Sequence, residues 1–400
     1  MRLLPGPGPV RTLSIATLIS TVGNGLWMAS SALYLTRIVG LSVPQTGLAL
    51  TTVALIMLVL STPTGYLADN LGPRGVSIGC LLALGVTELA MLTVHSLPTF
   101  LLVAAPMAVF DAAQRSARGA IIGSAVPPDR RVHTRAYLRA VTNVGITVGA
   151  GAAGIGLAIG TREAFLAMIV GDAVSFMLAG LALTRLTPVA PVRHTGSGPR
   201  LTALRDRPFL VLTVLDGLLA INFGLLEVAM PLWVADRTDA PHWMIAVVVV
   251  VNTVSVVLLQ VRMSRGADGI PGAARASRRA GFALLAACLI FSTTAHSSGR
   301  LTMALLVLAA VAHVIGELWY SAGGWGLSFG LAPEGAHGQY QGTFAMGHQF
   351  GQMLAPVVVT ALTLGWGTPG WLLLGALFAC AGTLVPPVAR WAQSSRPALT

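Results

Sequence analysis

The sequence predicts an all-α membrane protein of twelve transmembrane helices, six on each side of a central polar linker. Three observations lead there. Of the 400 residues 54% are hydrophobic and only 10% charged, with a mean hydropathy of +0.77; so few polar side chains cannot cover a water-facing surface. Apolar runs of bilayer length, about 20 residues each, recur along the whole chain. The runs are rich in Leu, Ala, Gly and Val and lack alternation at period two, which selects helices over a barrel.

In order, the runs cover roughly residues 12–35, 45–68, 74–94, 98–122, 136–159, 164–184, 209–235, 242–262, 279–297, 301–326, 340–364 and 367–389. The first is too long, and too well integrated with the second run, for a cleaved signal peptide. Residues 186–208 form the longest polar interruption, rich in Pro, Gly and Arg. They read as a cytoplasmic linker between a half at 1–185 and a half at 209–400.

Charge fixes the orientation. All 25 basic residues are arginine, and 21 of them lie on one side if the N-terminus is placed inside. Only Arg37, Arg162, Arg237 and Arg300 fall opposite. This positive-inside bias puts both termini in the cytoplasm of a cell (plasma or inner) membrane. The net charge of +11 therefore reflects topology and contact with anionic lipid, not a nucleic-acid partner. Cys80, Cys288 and Cys380 all lie in apolar runs and read as packing residues. No metal-ligand cluster, phosphate-cradling loop or nucleophile elbow appears, so neither an enzyme nor a cofactor is expected.

Between the second and third runs stands Gly65-Tyr-Leu67-Ala68-Asp69-Asn70-Leu-Gly72-Pro73-Arg74. Gly65, Leu67, Ala68, Asp69, Gly72 and Arg74 fill the fixed places of G-x-L-A-D-x-x-G-x-[RK]. The stretch resembles motif A of the major facilitator superfamily, with Arg74 its one cation. The resemblance covers nearly the whole chain and implies two pseudo-symmetric six-helix halves around a midplane cavity. It implies a small-molecule substrate, a monomer in the bilayer, and a proton gradient as energy source. It further implies that Asp69 gates the inner side by engaging a helix N-terminus, such as the start of the eleventh helix near Gln341. The 8–9 loop holds the corresponding place in the second half, keeping Arg265, Gly266 and Asp268 without a clear motif.

Two further stretches resemble motifs of this family. Arg115-Ser-Ala-Arg118-Gly119 resembles motif B, with Arg118 in the Gln place; Asp111, one turn earlier, is an i,i+4 partner for Arg115. Gly145, Gly149 and Gly154 match motif C of the drug/proton antiporter branch, while Ala150 and Ala153 replace its proline and penultimate glycine. Small residues at spacing four also simply let helix backbones approach.

Membrane-embedded polar groups are the candidates for proton coupling and substrate contact. Glu227 lies about eight residues from the outer end of the seventh helix, with Asp216 about three turns down the same face. His313 and Glu317 are one turn apart in the tenth helix, able to share a proton. Asn24, Trp27, Asn222, Met230, Trp319, Tyr320, His348 and Gln352 are candidate contacts for an amphipathic substrate. Each also has a structural reading as helix–helix glue. Asp172 reads as structural, and Glu88 has no role in sight. The expectation is proton-coupled efflux of a drug or secondary metabolite. An importer of a nutrient or peptide-like solute, and a non-transporting receptor on the same fold, stay open.

Overall fold

The structure, a computed structural model, describes residues 5–187 and 201–395. It is all-helical. The long helices are α1 (Pro9–Leu33), α2 (Val43–Leu71), α3 (Pro73–Ala90), α4 (Leu97–Ala125), α5 (Arg131–Ile159) and α6 (Arg162–Leu183). They continue with α7 (Arg207–Arg237, an interrupted span), α8 (Trp243–Met263), α9 (Ile270–Thr293), α10 (Arg300–Gly330), α11 (His337–Thr360) and α12 (Thr368–Ser394). Most of the linker expected at 186–208 lies outside the described residues.

Ten of the described helices are long and apolar enough to cross a membrane, not the twelve expected. The two that fall short are α1 and α11. Their polar content explains it: α1 carries Ser14, Thr17, Ser20, Thr21 and Asn24, and α11 carries Gln339, Gln341, His348, Gln349 and Gln352.

Helix boundaries follow local chemistry. Ser42 and Ser96 cap α2 and α4 as capping boxes, each with proline in the first turn. Gly72, at φ 91°, makes the turn into α3, a conformation that a side chain disfavours. Asp206 and Thr161 accept from the backbone amides of Phe209 and Ala164 and so cap α7 and α6.

The chain forms two compact units. One comprises Met1–Pro127, Leu138–Leu201 and Pro333–Gly342; the other comprises Pro128–Tyr137, Thr202–Ala332 and Thr343–Thr400. Each unit thus takes in a short segment from the other side of the linker, the first turns of α11 or of α5.

In the first unit α1 packs on α6, α2 on α4, and α3 on both α4 and α6. The motif C residues serve an α1–α5 contact. A Cβ on Gly149 would strike the Val22 carbonyl and lie 3.0 Å from Gly25 Cα; one on Gly145 would strike Thr21 Oγ1. Gly154 faces open space, and α5 contains no proline. Gly149→Val is expected to lower stability by about 1–3 kcal/mol through overpacking, read as a lower Tm; Gly154→Val is the control with no such loss.

The second unit packs α9 on α10 and α12, α7 on α12, and α8 on α10. An aromatic cluster closes it: the Trp371 ring lies 5.5 Å from Trp233 and 5.1 Å from Phe291. The Trp233 indole donates to Thr294 Oγ1 at 2.9 Å, so this buried polar tip is satisfied.

Candidate functional site

The motif A turn is built around Asp69, which is 5% exposed. Its carboxylate accepts from the Gly338 amide at 2.7 Å and the Gln339 amide at 3.0 Å, in the first turn of α11. These amides have no partner inside their helix, and the helix dipole adds positive potential there. The approach needs glycines. A Cβ on Gly65 would overlap the Gly338 carbonyl, and one on Gly342 would overlap the Ser61 carbonyl. Gly119 of motif B gives room to the Gln341 side chain in the same way.

Arg74 has a different task. Its Nη2 donates to the Thr184 carbonyl at 2.6 Å, satisfying the C-terminal end of α6. In the second unit Asp268, in the turn before α9, accepts from the amide of Val132, the second residue of α5. Burial raises its carboxyl pKa, and its Oδ1 has no hydrogen-bond partner. Each of these short segments therefore contains a helix N-terminus that an aspartate of the same unit holds.

Motif B keeps its expected ion pair, Arg115 Nη2 to Asp111 Oδ2 at 2.9 Å. Arg118 instead points to a small cavity of about 10 Å³ lined also by Thr17, Ser20, Ser77 and Gln114. That is room for about one water.

Helix α7 is not regular. After Ala220 come a short turn at Asn222–Gly224, a π-helical turn at Leu225–Ala229, and an α-helix again from Met230. Pro231 is one cause: it lacks the N–H that Glu227 O would receive, and its ring crowds that carbonyl. The Met230 amide accordingly bonds back to Leu225 O, five residues away. Side chains add hydrogen bonds to backbone carbonyls at the break, where the membrane interior offers little water. Asn222 Nδ2 donates to Leu219 O at 2.7 Å, and His313 Nε2 lies 3.0 Å from Asn222 O.

The break splits the expected acidic face in two. Asp216, before it, joins Tyr320 and His348. The Tyr320 hydroxyl donates to Asp216 Oδ2 at 3.0 Å and lies 2.7 Å from His348 Nδ1. A single hydroxyl thus bridges a buried carboxyl and an imidazole, a geometry chemically able to relay a proton. Phe223 sets its edge against both rings, 6.0 Å from Tyr320 and 5.5 Å from His348. Glycines bring these helices together: a Cβ on Gly217 would lie 2.7 Å from Gly347 O, and one on Gly324 would lie 2.9 Å from Asp216 Oδ1.

Glu227, within the π-helical turn itself, belongs to a second group. It is exposed and lies within the electrostatic reach of Glu317. Glu317, 4% exposed, accepts from Asn252 Nδ2 at 2.8 Å. His313 and Glu317, expected to share a proton, are directed to different partners: the imidazole to the broken backbone of α7, the carboxylate to α8.

The remaining candidates scatter. Asn222 and Met230 are fully buried, Gln352 is exposed, and Trp319 lies beneath the Arg279 guanidinium at 5.9 Å. Asn24 and Trp27 are half-buried in the first unit, the Trp27 ring 6.3 Å from Tyr34. Phe223 and Gly324 are the members that sequence reasoning missed. An apolar residue and a glycine in an apolar helix carry no signal of their neighbours.

Residues 13–316 match the family model of the Major Facilitator Superfamily. The chain belongs to that superfamily, a class of multi-pass membrane transporters and not enzymes. No curated protein matches it significantly by sequence. Among solved structures it resembles a bacterial homologue of the iron transporter ferroportin in an outward-facing state, with TM-score 0.75, 16% identity, and coverage of 99% of this chain and 100% of that one. It also resembles the E. coli fucose:proton symporter FucP (TM-score 0.68, 14% identity, 96% and 98% covered). A third is the human organic anion transporter MFSD10 (TETRAN), with TM-score 0.67, 17% identity, and 94% and 98% covered. At these identities the likeness concerns the fold.

Proposed function

We propose that this transporter exports a small amphipathic molecule, a drug or secondary metabolite, by proton antiport with alternating access. It would act as a monomer in the cell inner membrane, with both termini cytoplasmic and no cofactor beyond the proton gradient. The observation that carries this reading is the Asp216–Tyr320–His348 line beside the broken α7, with Glu227 in its π-helical turn and Glu317 on α10. Broken helices that expose backbone and carboxyls at membrane depth are where transporters of this kind hold coupling ions and substrate. Aromatic Phe223 and Tyr320 of the second unit suit an apolar cargo better than a sugar. Asp69 is assigned the inner latch because it holds the first turn of α11, and the rest of α11 carries His348.

The test is reconstitution in liposomes with a pH-sensitive dye inside and an imposed proton gradient. Lipophilic cations, antibiotics and neutral amphiphiles are then added in turn. Proton flow opposite to substrate is expected, and Glu227→Gln is expected to abolish it while the protein stays folded. Protons and substrate moving together would replace the exporter with an importer. Substrate binding without flux would replace it with a receptor.

A further inference from the structure

The first unit holds two buried carboxyls that the proposed transport chemistry does not use. Glu88 of α3 is 0% exposed, and neither of its oxygens has a hydrogen-bond partner. Asp172 of α6 is 1% exposed. The Ser175 hydroxyl lies 3.4 Å from Asp172 Oδ1 but is turned to the Asp172 backbone carbonyl at 2.7 Å, so it is a weak donor to the carboxylate.

Packing sets the two against each other. Helices α3 and α6 are in contact. A Cβ on Gly85 would lie 2.9 Å from Ala173 O, so their backbones nearly touch one residue from Asp172. Glu88 is three residues beyond Gly85, on the same face of α3. Helix α1 closes the third side: a Cβ on Gly23 would overlap Asp172 Oδ1 and Ser175 Oγ. Each carboxyl lies within the other's electrostatic reach.

The charged and titratable groups facing the pair do not neutralise it. From α1, the Tyr34 hydroxyl is engaged by Met91 O at 2.7 Å. From α4, Asp111 acts on Asp172, and it is already committed to Arg115. Arg162 begins α6, ten residues from Asp172, about 15 Å along the helix. Among the described residues neither carboxyl forms an ion pair.

Two carboxylates on helices in contact, without a cation and out of water, meet both repulsion and a desolvation cost. One proton removes both. It neutralises one group and turns it into a donor for its neighbour, which also gives the Glu88 carboxyl its missing partner. We propose that Glu88 and Asp172 form a proton-binding site where α1, α3 and α6 meet, separate from the coupling groups of the second unit. The proton holds these three helices together.

The site is tested on the purified protein without substrate, so the outcome does not depend on the transport reading. The folded state carries a proton there that the unfolded chain gives up, so stability falls as pH rises from the ordinary carboxylate range. Tm is measured from mildly acidic to alkaline pH in choline chloride and in sodium chloride, for the wild type and Glu88→Gln. The amide of Glu88→Gln supplies a neutral donor to Asp172 at every pH. The expected result is a wild-type Tm that falls as pH rises in either salt, and a flatter profile in the variant. Asp172→Asn, the reciprocal change, serves if Glu88→Gln does not fold. A wild-type Tm that does not fall with pH overturns the proposal whatever the variants do, as does an unchanged slope in the folded variants. A wild-type Tm restored at alkaline pH by sodium alone overturns it in favour of a sodium site.

Discussion

Asp216→Asn is expected to cut proton-coupled transport by roughly a hundredfold or more, the scale at which a positioned proton donor or acceptor acts. The protein is expected to fold, because the Asn carbonyl still accepts from the Tyr320 hydroxyl, now at 3.0 Å from Asp216 Oδ2. What the amide lacks is a titrating proton. Tyr320→Phe tests the next link: it leaves the carboxyl but breaks its connection to His348 Nδ1, 2.7 Å from the hydroxyl. A slower proton flux with substrate binding retained is the expected outcome. Both variants are compared by dye-monitored proton movement, with substrate binding and Tm measured in parallel. Wild-type proton flux in folded Asp216→Asn would remove Asp216 from the coupling path and leave Glu227 and Glu317 as its carriers.

Asp69→Ala carries the second large effect. It strands the amides of Gly338 and Gln339, both buried against Asp69. A buried donor left unpaired costs about 1–3 kcal/mol, so a loss of roughly 2–6 kcal/mol is expected for the two together. Asp69→Asn keeps one acceptor oxygen and loses the charge that complements the α11 dipole, so it is expected to fall between wild type and alanine. The readouts are denaturant unfolding and transport rate. Equal stability of Asp69→Ala and wild type would show that these bonds contribute nothing, and the latch role would fall with them.

Much of the architecture is legible in the chain because lipid imposes a length and a composition on anything that crosses it. The runs expected at 45–68, 98–122 and 301–326 are the cores of α2, α4 and α10, which begin one or two residues earlier and end three or four later. The same signal explains the difference at α1 and α11. Their polar residues, which hydropathy counts against a span, are the ones that carry Asn24 in α1 and His348 in α11. Motif A was legible because its turn needs a glycine at φ 91° and a carboxylate beside it, which no random apolar sequence supplies.

The candidate site was legible only as a set of residues. Asp216, Glu227, His313, Glu317, Tyr320 and His348 stand out because a polar group in an apolar helix is costly and so is rarely present without a reason. Which of them meet was not. An unbroken α7 would have run Asp216 and Glu227 along one face, whereas the turn between them and the π-helix that holds Glu227 interrupt the repeat. Glu88 shows the same limit: nothing near it in sequence names Asp172, 84 positions away. The sequence alone determined a multi-pass helical membrane protein with a motif that resembles those of a transporter superfamily, because bilayer thickness and a motif's spacing are properties of the chain itself. Only the tertiary structure decided which carboxyl is bridged to an imidazole, which lies within electrostatic reach of a second carboxyl and which holds a helix end, because those pairings depend on glycine-permitted contacts between helices distant in sequence.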